Sequence, residues 1–499
     1  VALIKPGGFI VSGNAKTLGG AKKLSLLDAV AQSVGFMGPV FSIAFLVPLI
    51  VGITSATGNG AGTGAALSVV LAGIGIVGIG WLVAEYARRI QAAGSLYSYV
   101  SDGLGPKVGA ASGYLYYTGI MLLSAGILVM IGGTIHDTIA GEFNWTGIPY
   151  FGWDLILLAI VSTVLYLGVA LSTRVQLVLA LVSLAVVFIF SLFVIVKSGG
   201  LHHIGSGFSA SGSPKHWSGV LFGVLYGVLL FTGFESSANL GEETEAPERN
   251  IPRAVLLAVG IAIVFYVIGT FAQVSGFHFN LSAIGKANAS GPLFVLAGPS
   301  AGGGFAGVAM RRLVELVVIL DMVAVLIGTA VAASRGFFSM ARDGRLPKQL
   351  AAVSSRGTPI GGSAVMFVSF IVTIFLALKT TSFALPQTPE YVAVFSWMST
   401  YGGFALSVIY LLLALGAIRG LKDHGSKARL YAAIAVAVLV TAGAIFGGLY
   451  KVVEPTLSAP LSALVILVLG LIAGFALKSP SGQDDFGSLA PSDQGPQKI

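Results

Sequence analysis

Glu235 asks the most of its surroundings. It closes the apolar part of Leu230 to Glu243, which reads LFTGFESSANLGEE, where a membrane-crossing helix should still be running. A charge in hydrocarbon is costly unless it is paired or faces water, so such a carboxylate marks a cation site, a proton carrier or an internal brace. Asp321 stands about ten residues into another apolar run, close to midplane depth. It must be neutral, paired or wetted, and is a second proton-carrier candidate or a hydrogen-bonded packing group. Glu315 lies nearer the end of the same run and is expected to be solvated.

Backbone chemistry accompanies these carboxylates. Gly233, Phe234 and Ser236 surround Glu235, and an earlier apolar run falters at Val34, Gly35, Phe36, Met37, Gly38 and Pro39. Proline lacks an amide hydrogen and suits the first position of a fresh half-helix, so a break near residue 37 is expected; a proline kink is the plainer alternative. A helix restarting there presents unsatisfied amides and a partial positive charge, a natural anion site. Interrupted backbone is tolerated at that depth only where it is buried in protein or lines a cavity.

The elements that must position these groups are membrane helices. The 499-residue chain is 55% hydrophobic and only 10% charged, outside the range of soluble domains. At about 20 apolar residues per crossing, twelve spans are predicted: 24–53, 64–87, 108–133, 153–171, 175–196, 217–240, 254–277, 313–338, 363–379, 391–415, 428–449 and 457–477. The two breaks fall in spans one and six, five apart and running in opposite directions. That is the signature of an inverted repeat with a midplane binding site between broken helices. The predicted organisation is a tail over 1–23, a first repeat over 24–200, a second over 201–390 with its tenth span reaching 416, a helix pair within 417–478, and a disordered tail over 479–499.

Lysine and arginine set the orientation. With the N-terminus inside, 21 of the 28 fall on the cytoplasmic side and 28 − 21 = 7 outside, so both termini are expected in the cytoplasm and the net charge of +8 is a consequence of topology. No basic and aromatic surface suggests a nucleic-acid partner. Cys is absent, which excludes disulfides and thiolate metal sites. The six histidines fall in loops or at span ends, and His202, His203 and His216 have no carboxylate nearby in sequence, so no metal site and no cofactor is expected. Phosphate-loop, metalloprotease and cysteine-nucleophile patterns are absent, so an enzyme is not expected. Nothing at the N-terminus reads as a cleavable signal. Tyr116, Tyr117 and Trp397 are candidates to line a vestibule, against the plainer reading that they pack.

Three basic-side stretches complete the pattern: AEYARR with AGSLYSYV (Ala84 to Arg89, Ala93 to Val100), GFESSANLGEE with NIPRA (Gly233 to Glu243, Asn250 to Ala254), and SRGFFSMARDGRLP (Ser334 to Pro347). In combination they resemble the amino acid-polyamine-organocation superfamily of secondary transporters, over roughly residues 24–478. The resemblance implies an all-helical fold of five-plus-five inverted repeats with two further helices, and alternating access about spans one and six. It implies that amides at Gly35 to Pro39 hold a substrate carboxylate. It also implies that Phe231, Gly233, Phe234, Glu235 and Ser236 meet the substrate amine and supply an aromatic gate. The sequence departs from the compact Gly-x-Gly of many importers, which keeps a carboxylate-free amine or polyamine open beside an amino acid. A solute sensor on the same scaffold is a further alternative. Some relatives carry a coupling lysine in span five; here Ser183 falls near that position. A sodium site with Thr329 or Ser334 and carbonyls near Val34 and Met37, proton coupling through Glu235 or Asp321, and exchange all stay open, as does the oligomeric state.

Overall fold

The computed structural model describes residues 24–52, 59–90, 95–167, 173–240, 244–355, 357–379, 383 and 388–476. The two tails, parts of the family-like loops at 93–94 and 241–243, and Arg356 lie outside the described residues. Among the described residues twelve helical segments are long and apolar enough to cross a membrane, matching the predicted number.

Span one is two helices, α1 (Leu26–Met37) and α2 (Pro39–Val51), joined by Gly38 alone. A reciprocal cap starts α1: Ser25 Oγ accepts from the Asp28 amide at 3.3 Å while the Ser25 amide donates to Asp28 Oδ2 at 2.9 Å. Gly38, at φ +54°, ends α1 in the left-handed region and begins α2, whose first residue is proline. There follow α3 (Ala65–Ala87), the short amphipathic α4 (Ser95–Leu104), α5 (Pro106–Phe143), α6 (Tyr150–Leu167), α7 (Thr173–Lys197) and the single turn α8 (Ile204–Gly207). Span six begins as α9 (His216–Leu230), unwinds over residues 231–233 and resumes as a 3-10 helix over Phe234–Leu240. The rest of the chain forms α10 (Pro247–Gly276), two short helices, α11 (Leu281–Ala287) and α12 (Pro292–Ala297), then α13 (Val308–Arg342), α14 (Ile360–Lys379), α15 (Glu390–Gly420), α16 (Lys427–Leu449) and α17 (Ser458–Ala476). Among the described residues no sheet forms; there are two isolated bridges, Leu24–Thr244 and Val353–Pro359.

Several helices overrun their apolar windows. The 38-residue α5 continues ten residues past the predicted end at 133, and α13 starts at Val308 rather than 313. The extensions carry His136, Asp137, Arg311 and Arg312, which pair beyond the apolar zone. Alternating spans put Arg88, Arg342, Arg345 and Arg419 at one end of the bundle, the basic face, and Lys215, Arg311, Arg312 and Lys451 at the far face.

α5 is the central post, packing on α6, α13, α14, α15 and α17; α1 packs against α7, α10 and α13, and α2 against α9, α10 and α13. Small residues permit the approach. A Cβ on Gly336 of α13 would lie 2.0 Å from the Tyr117 ring. On the basic face, burial raises the Asp343 carboxyl above its usual range, opposed by Arg342 and Arg345.

Candidate functional site

The two breaks meet. A Cβ on Gly233, which sits at φ +109°, would come within 2.3 Å of Phe36 Cδ1 and 3.0 Å of the Met37 amide nitrogen. Only glycine gives span six both that backbone conformation and that approach. Below the contact, toward the basic face, the spans are stitched together. Ser33 Oγ donates to the Phe234 carbonyl at 2.8 Å and accepts from the Ser237 amide at 3.3 Å, and Ser236 Oγ donates to the Gln32 carbonyl at 3.3 Å. Glu245, between span six and α10, joins the same seam, its amide donating to the Leu24 carbonyl at 2.9 Å.

Asp321 caps the second half of span one. Its Oδ2 accepts from the amides of Val40 at 3.0 Å and Phe41 at 2.8 Å. These are the amides at the α2 N-terminus, where the half-helix concentrates partial positive charge. A carboxylate of the chain's own α13 thus sits on the amides that the break leaves without helical partners. Gly38 lies in the same knot: a Cβ there would be 2.1 Å from Val325 Cγ2 and 3.4 Å from Asp321 Oδ2.

Glu235 is buried, and its oxygens are directed to protein partners. Oε2 accepts from the Gly233 amide at 3.1 Å, closing the unwound turn on itself, and Oε1 accepts from Tyr116 Oη of α5 at 3.1 Å. Tyr410 Oη of α15 adds a longer contact at 3.4 Å. Both of its oxygens are thus held by donors from spans three, six and ten.

Between the breaks and α5 lies a cavity of about 20 Å3, lined among others by Phe36, Met37, Phe41, Thr232, Val325 and Thr329. That is room for about one water molecule. Phe41 and Phe395, with ring centroids 5.8 Å apart, separate it from a chamber of about 310 Å3 toward the far face.

The remaining candidates divide. Val34 and Phe231 are buried in the core around the breaks, and Gly35 faces open space. Thr329 lines the small cavity, its hydroxyl on Ser124 Oγ at 3.0 Å and the Val325 carbonyl at 2.8 Å. Ser334 donates to the Val331 carbonyl at 2.9 Å, and its own carbonyl abuts Gly362 of α14. Ser183 is buried on α7, which packs on both α1 and α13, while the Met37 carbonyl already receives Ser42 Oγ at 3.0 Å. Among the described residues no group of three or more His, Asp or Glu side chains is arranged to hold a metal ion.

One expectation is corrected, and the aromatic candidates take their plainer reading. Glu315 is 2% exposed rather than solvated, because α13 extends past it and Arg311 Nε donates to its Oε1 at 2.8 Å. Neither Tyr116 nor Tyr117 lines either cavity: one holds Glu235, and the other packs on Gly336 and Phe337. Trp397 likewise packs, its Nε1 donating to Ser458 Oγ at 2.8 Å.

Sequence reasoning missed Ser33, Gln273, Tyr410 and Asp154. Gln273 of α10 donates to the Ile43 carbonyl at 2.8 Å; Asp154 of α6 is fully buried beside Gly132 with neither oxygen hydrogen-bonded. Polar side chains inside predicted spans were the available signal for both.

The amino acid permease family model matches residues 34–478. A branched-chain amino acid permease of Lactococcus lactis is 24% identical over 62% of this chain and 68% of its own length. A lysine-specific permease of Saccharomyces cerevisiae is 24% identical over 76% of this chain, which spans 62% of that longer protein. A methylthioribose transporter of Bacillus subtilis is 25% identical over 69% and 72%. A solved structure of a manganese transporter from Eremococcus coleocola shares the fold, with a TM-score of 0.54 over 90% of this chain and 93% of that one, at 12% identity. Twelve membrane-length helices, two facing breaks and a family match over most of the sequence agree: this chain is an integral membrane transport protein, not an enzyme, and belongs to the amino acid permease family.

Proposed function

We propose that the chain is a secondary active transporter moving an amino acid across the cytoplasmic membrane by alternating access, with both termini in the cytoplasm. The substrate site is the meeting of the breaks, formed by Val34 to Gly38 and by Phe231, Gly233, Phe234 and Ser236, with Glu235 holding the span-six turn from behind. The observation that carries this reading is the contact itself: Gly233 lies against Phe36 and Met37 with a cavity of only about 20 Å3 beside them. A solute enters only when these helices part, which is what alternating access requires. The amino acid assignment also draws on the named substrates of the bacterial and yeast permeases it resembles.

A second reading, a carboxylate-free amine, is favoured by one observation: Asp321 already occupies the Val40 and Phe41 amides. An amino acid would have to displace that carboxylate, whereas an amine would leave it in place. Proton coupling through Asp321, or sodium held near Ser183, Thr329 and Ser334, would supply the driving force. Counterflow of labelled leucine, lysine and putrescine in proteoliposomes, repeated under imposed proton and sodium gradients, tests the reading. Accumulation of an amino acid supports it; accumulation of putrescine alone moves it to the second reading, and saturable binding without flux of any label would make the chain a sensor.

A further inference from the structure

Five of the six histidines, His136, His202, His203, His216 and His278, stand at the far-face ends of their helices or in the connections there. Among the described residues His424 is the one histidine at the basic face, in the connection between α15 and α16. Histidine is the side chain whose charge change ordinarily falls between about pH 5 and 8.

The His424 ring is held on three sides. Trp81 of α3 meets it edge-on, with centroids 5.1 Å apart. Nδ1 has both an amide and a carbonyl within reach in Ser426, the residue that precedes α16: the nitrogen at 3.1 Å and the oxygen at 3.2 Å. A neutral ring accepts from the amide and a protonated ring donates to the carbonyl, so Nδ1 has a partner in either charge state. Nε2 lies 3.6 Å from Glu85 Oε2 of α3, within range of an ion pair and too far for a hydrogen bond of a neutral ring. Charge on the ring therefore decides whether this contact holds. The two side chains are only 18% and 16% exposed, so the pair is screened less than one on the open surface.

The other charges nearby leave that contact to His424. Arg88, on the same helix as Glu85, reaches Oε1 at 3.4 Å. Arg89 donates to the Gly420 carbonyl at 3.2 Å. From α4, Asp102 faces the end of α15, where a Cβ on Gly420 would lie 2.7 Å from its Oδ2. Lys422, Asp423, Lys427 and Arg429, in and just after the connection, are exposed. The contact also spans a junction between helix groups. α3 packs on α9, the first half of broken span six, and on α10; α15 packs along the central α5, and α16 touches both α3 and α15.

We propose that His424 is a regulatory proton site: a proton taken up from the basic side turns its contact with Glu85 into an ion pair, which latches α3 to the α15–α16 connection and slows opening of the basic face. The proton adds at Nδ1, because Nε2 keeps its hydrogen toward the carboxylate, and Nδ1 then turns from the Ser426 amide to the Ser426 carbonyl. The proposal rests on the permease reading for its effect on transport, though not for the latch itself.

The test of the latch is a double-mutant cycle on the full-length chain in detergent. Thermal midpoints of the unmodified chain, His424→Gln, Glu85→Gln and the double variant are compared at about pH 6 and about pH 8. The two substitutions should be coupled at the lower pH, where the ring is charged, and additive at the higher. Coupling of equal size at both, or at neither, would overturn the latch. The test of regulation is counterflow of labelled leucine, lysine and putrescine in proteoliposomes with the pH equal on both sides. Between the same two pH values the unmodified chain should slow about threefold more than either single variant, and either variant alone suffices for the comparison. Profiles that superimpose would overturn the regulatory role. Failure of counterflow for every label would instead remove the permease reading, and the midpoint cycle would still decide the latch.

Discussion

Replacing Asp321 with alanine removes the acceptor from two buried amides at once. Val40 and Phe41 donate to a single oxygen at 3.0 and 2.8 Å, and α2 is buried along its whole length, so neither amide has a ready substitute. Leaving a buried donor unsatisfied costs about 1–3 kcal/mol, so the pair costs about 2–6 kcal/mol. Asparagine keeps a carbonyl oxygen in place. It loses the charge assistance, which roughly halves each bond, and recovers part of that through easier desolvation. The expected order of thermal midpoints in detergent is therefore wild type at or above Asp321→Asn, with Asp321→Ala clearly below both. A second readout separates capping from general packing. With the α2 amides exposed, acetate or leucine should raise the midpoint of Asp321→Ala more than that of the wild type, because an added carboxylate takes the empty position. An alanine variant as stable as the asparagine variant, or one that carboxylates stabilise no more than they do the wild type, would refute the reasoning.

Other expectations follow from the same geometry. Gly233→Ala places a methyl 2.3 Å from the Phe36 ring at φ +109° and should abolish uptake while the protein still inserts; normal uptake would remove the breaks as the substrate site. Gly38→Ala should be similarly impaired and partly rescued by Val325→Ala, since Val325 Cγ2 is the atom 2.1 Å from the new methyl. Glu235→Gln leaves one acceptor oxygen where three donors arrive, from Tyr116, Gly233 and Tyr410, and should lower stability by about 1–3 kcal/mol. If transport then keeps its affinity and pH dependence at a temperature where the protein is folded, Glu235 is a brace. On the basic face, burial raises the Asp102 carboxyl above its ordinary value of 3.8, with Arg89 opposing. The folded state binds that proton more tightly, so stability falls as pH rises from about the ordinary value through the raised one. Asp102→Asn should flatten that part of the midpoint-against-pH curve, and an unchanged slope would contradict the assignment.

The breaks were legible because their causes are local. A glycine before a proline, and a glycine beside a carboxylate in an apolar run, limit the backbone within a few residues of themselves. What closes them was not legible, because the closing groups come from distant sequence. Asp321 reaches a helix 281 residues away, and Tyr116 reaches Glu235 across 119. Depth counting marked Asp321 as consequential but left its partner open. The same counting put Glu315 in water, because hydropathy ends a span where its apolar residues end, whereas α13 continues through Val308 to Arg312 and buries the carboxylate against Arg311. The chamber was invisible for a related reason: Asp137, Arg311 and Tyr391 lie at the ends of three different helices, and only packing brings them together.

The closures on either side of the small cavity are unequal in depth, and that has a kinetic consequence. Toward the far face the Phe41–Phe395 pair stands between the cavity and an already open chamber. Toward the basic face lie the Ser33, Ser236 and Ser237 stitches, the Glu235 cluster, the Tyr117–Phe337 contact and the Leu24–Thr244 bridge. Rotating aromatic rings is a fast, small movement, whereas releasing a seam of hydrogen bonds is a slow collective one. The unloaded protein is therefore expected to spend most of its cycle accessible from the far face. Discharge toward the basic side should then set the turnover time, so substitutions in that seam, such as Ser33→Ala, should speed exchange more than substitutions at Phe395.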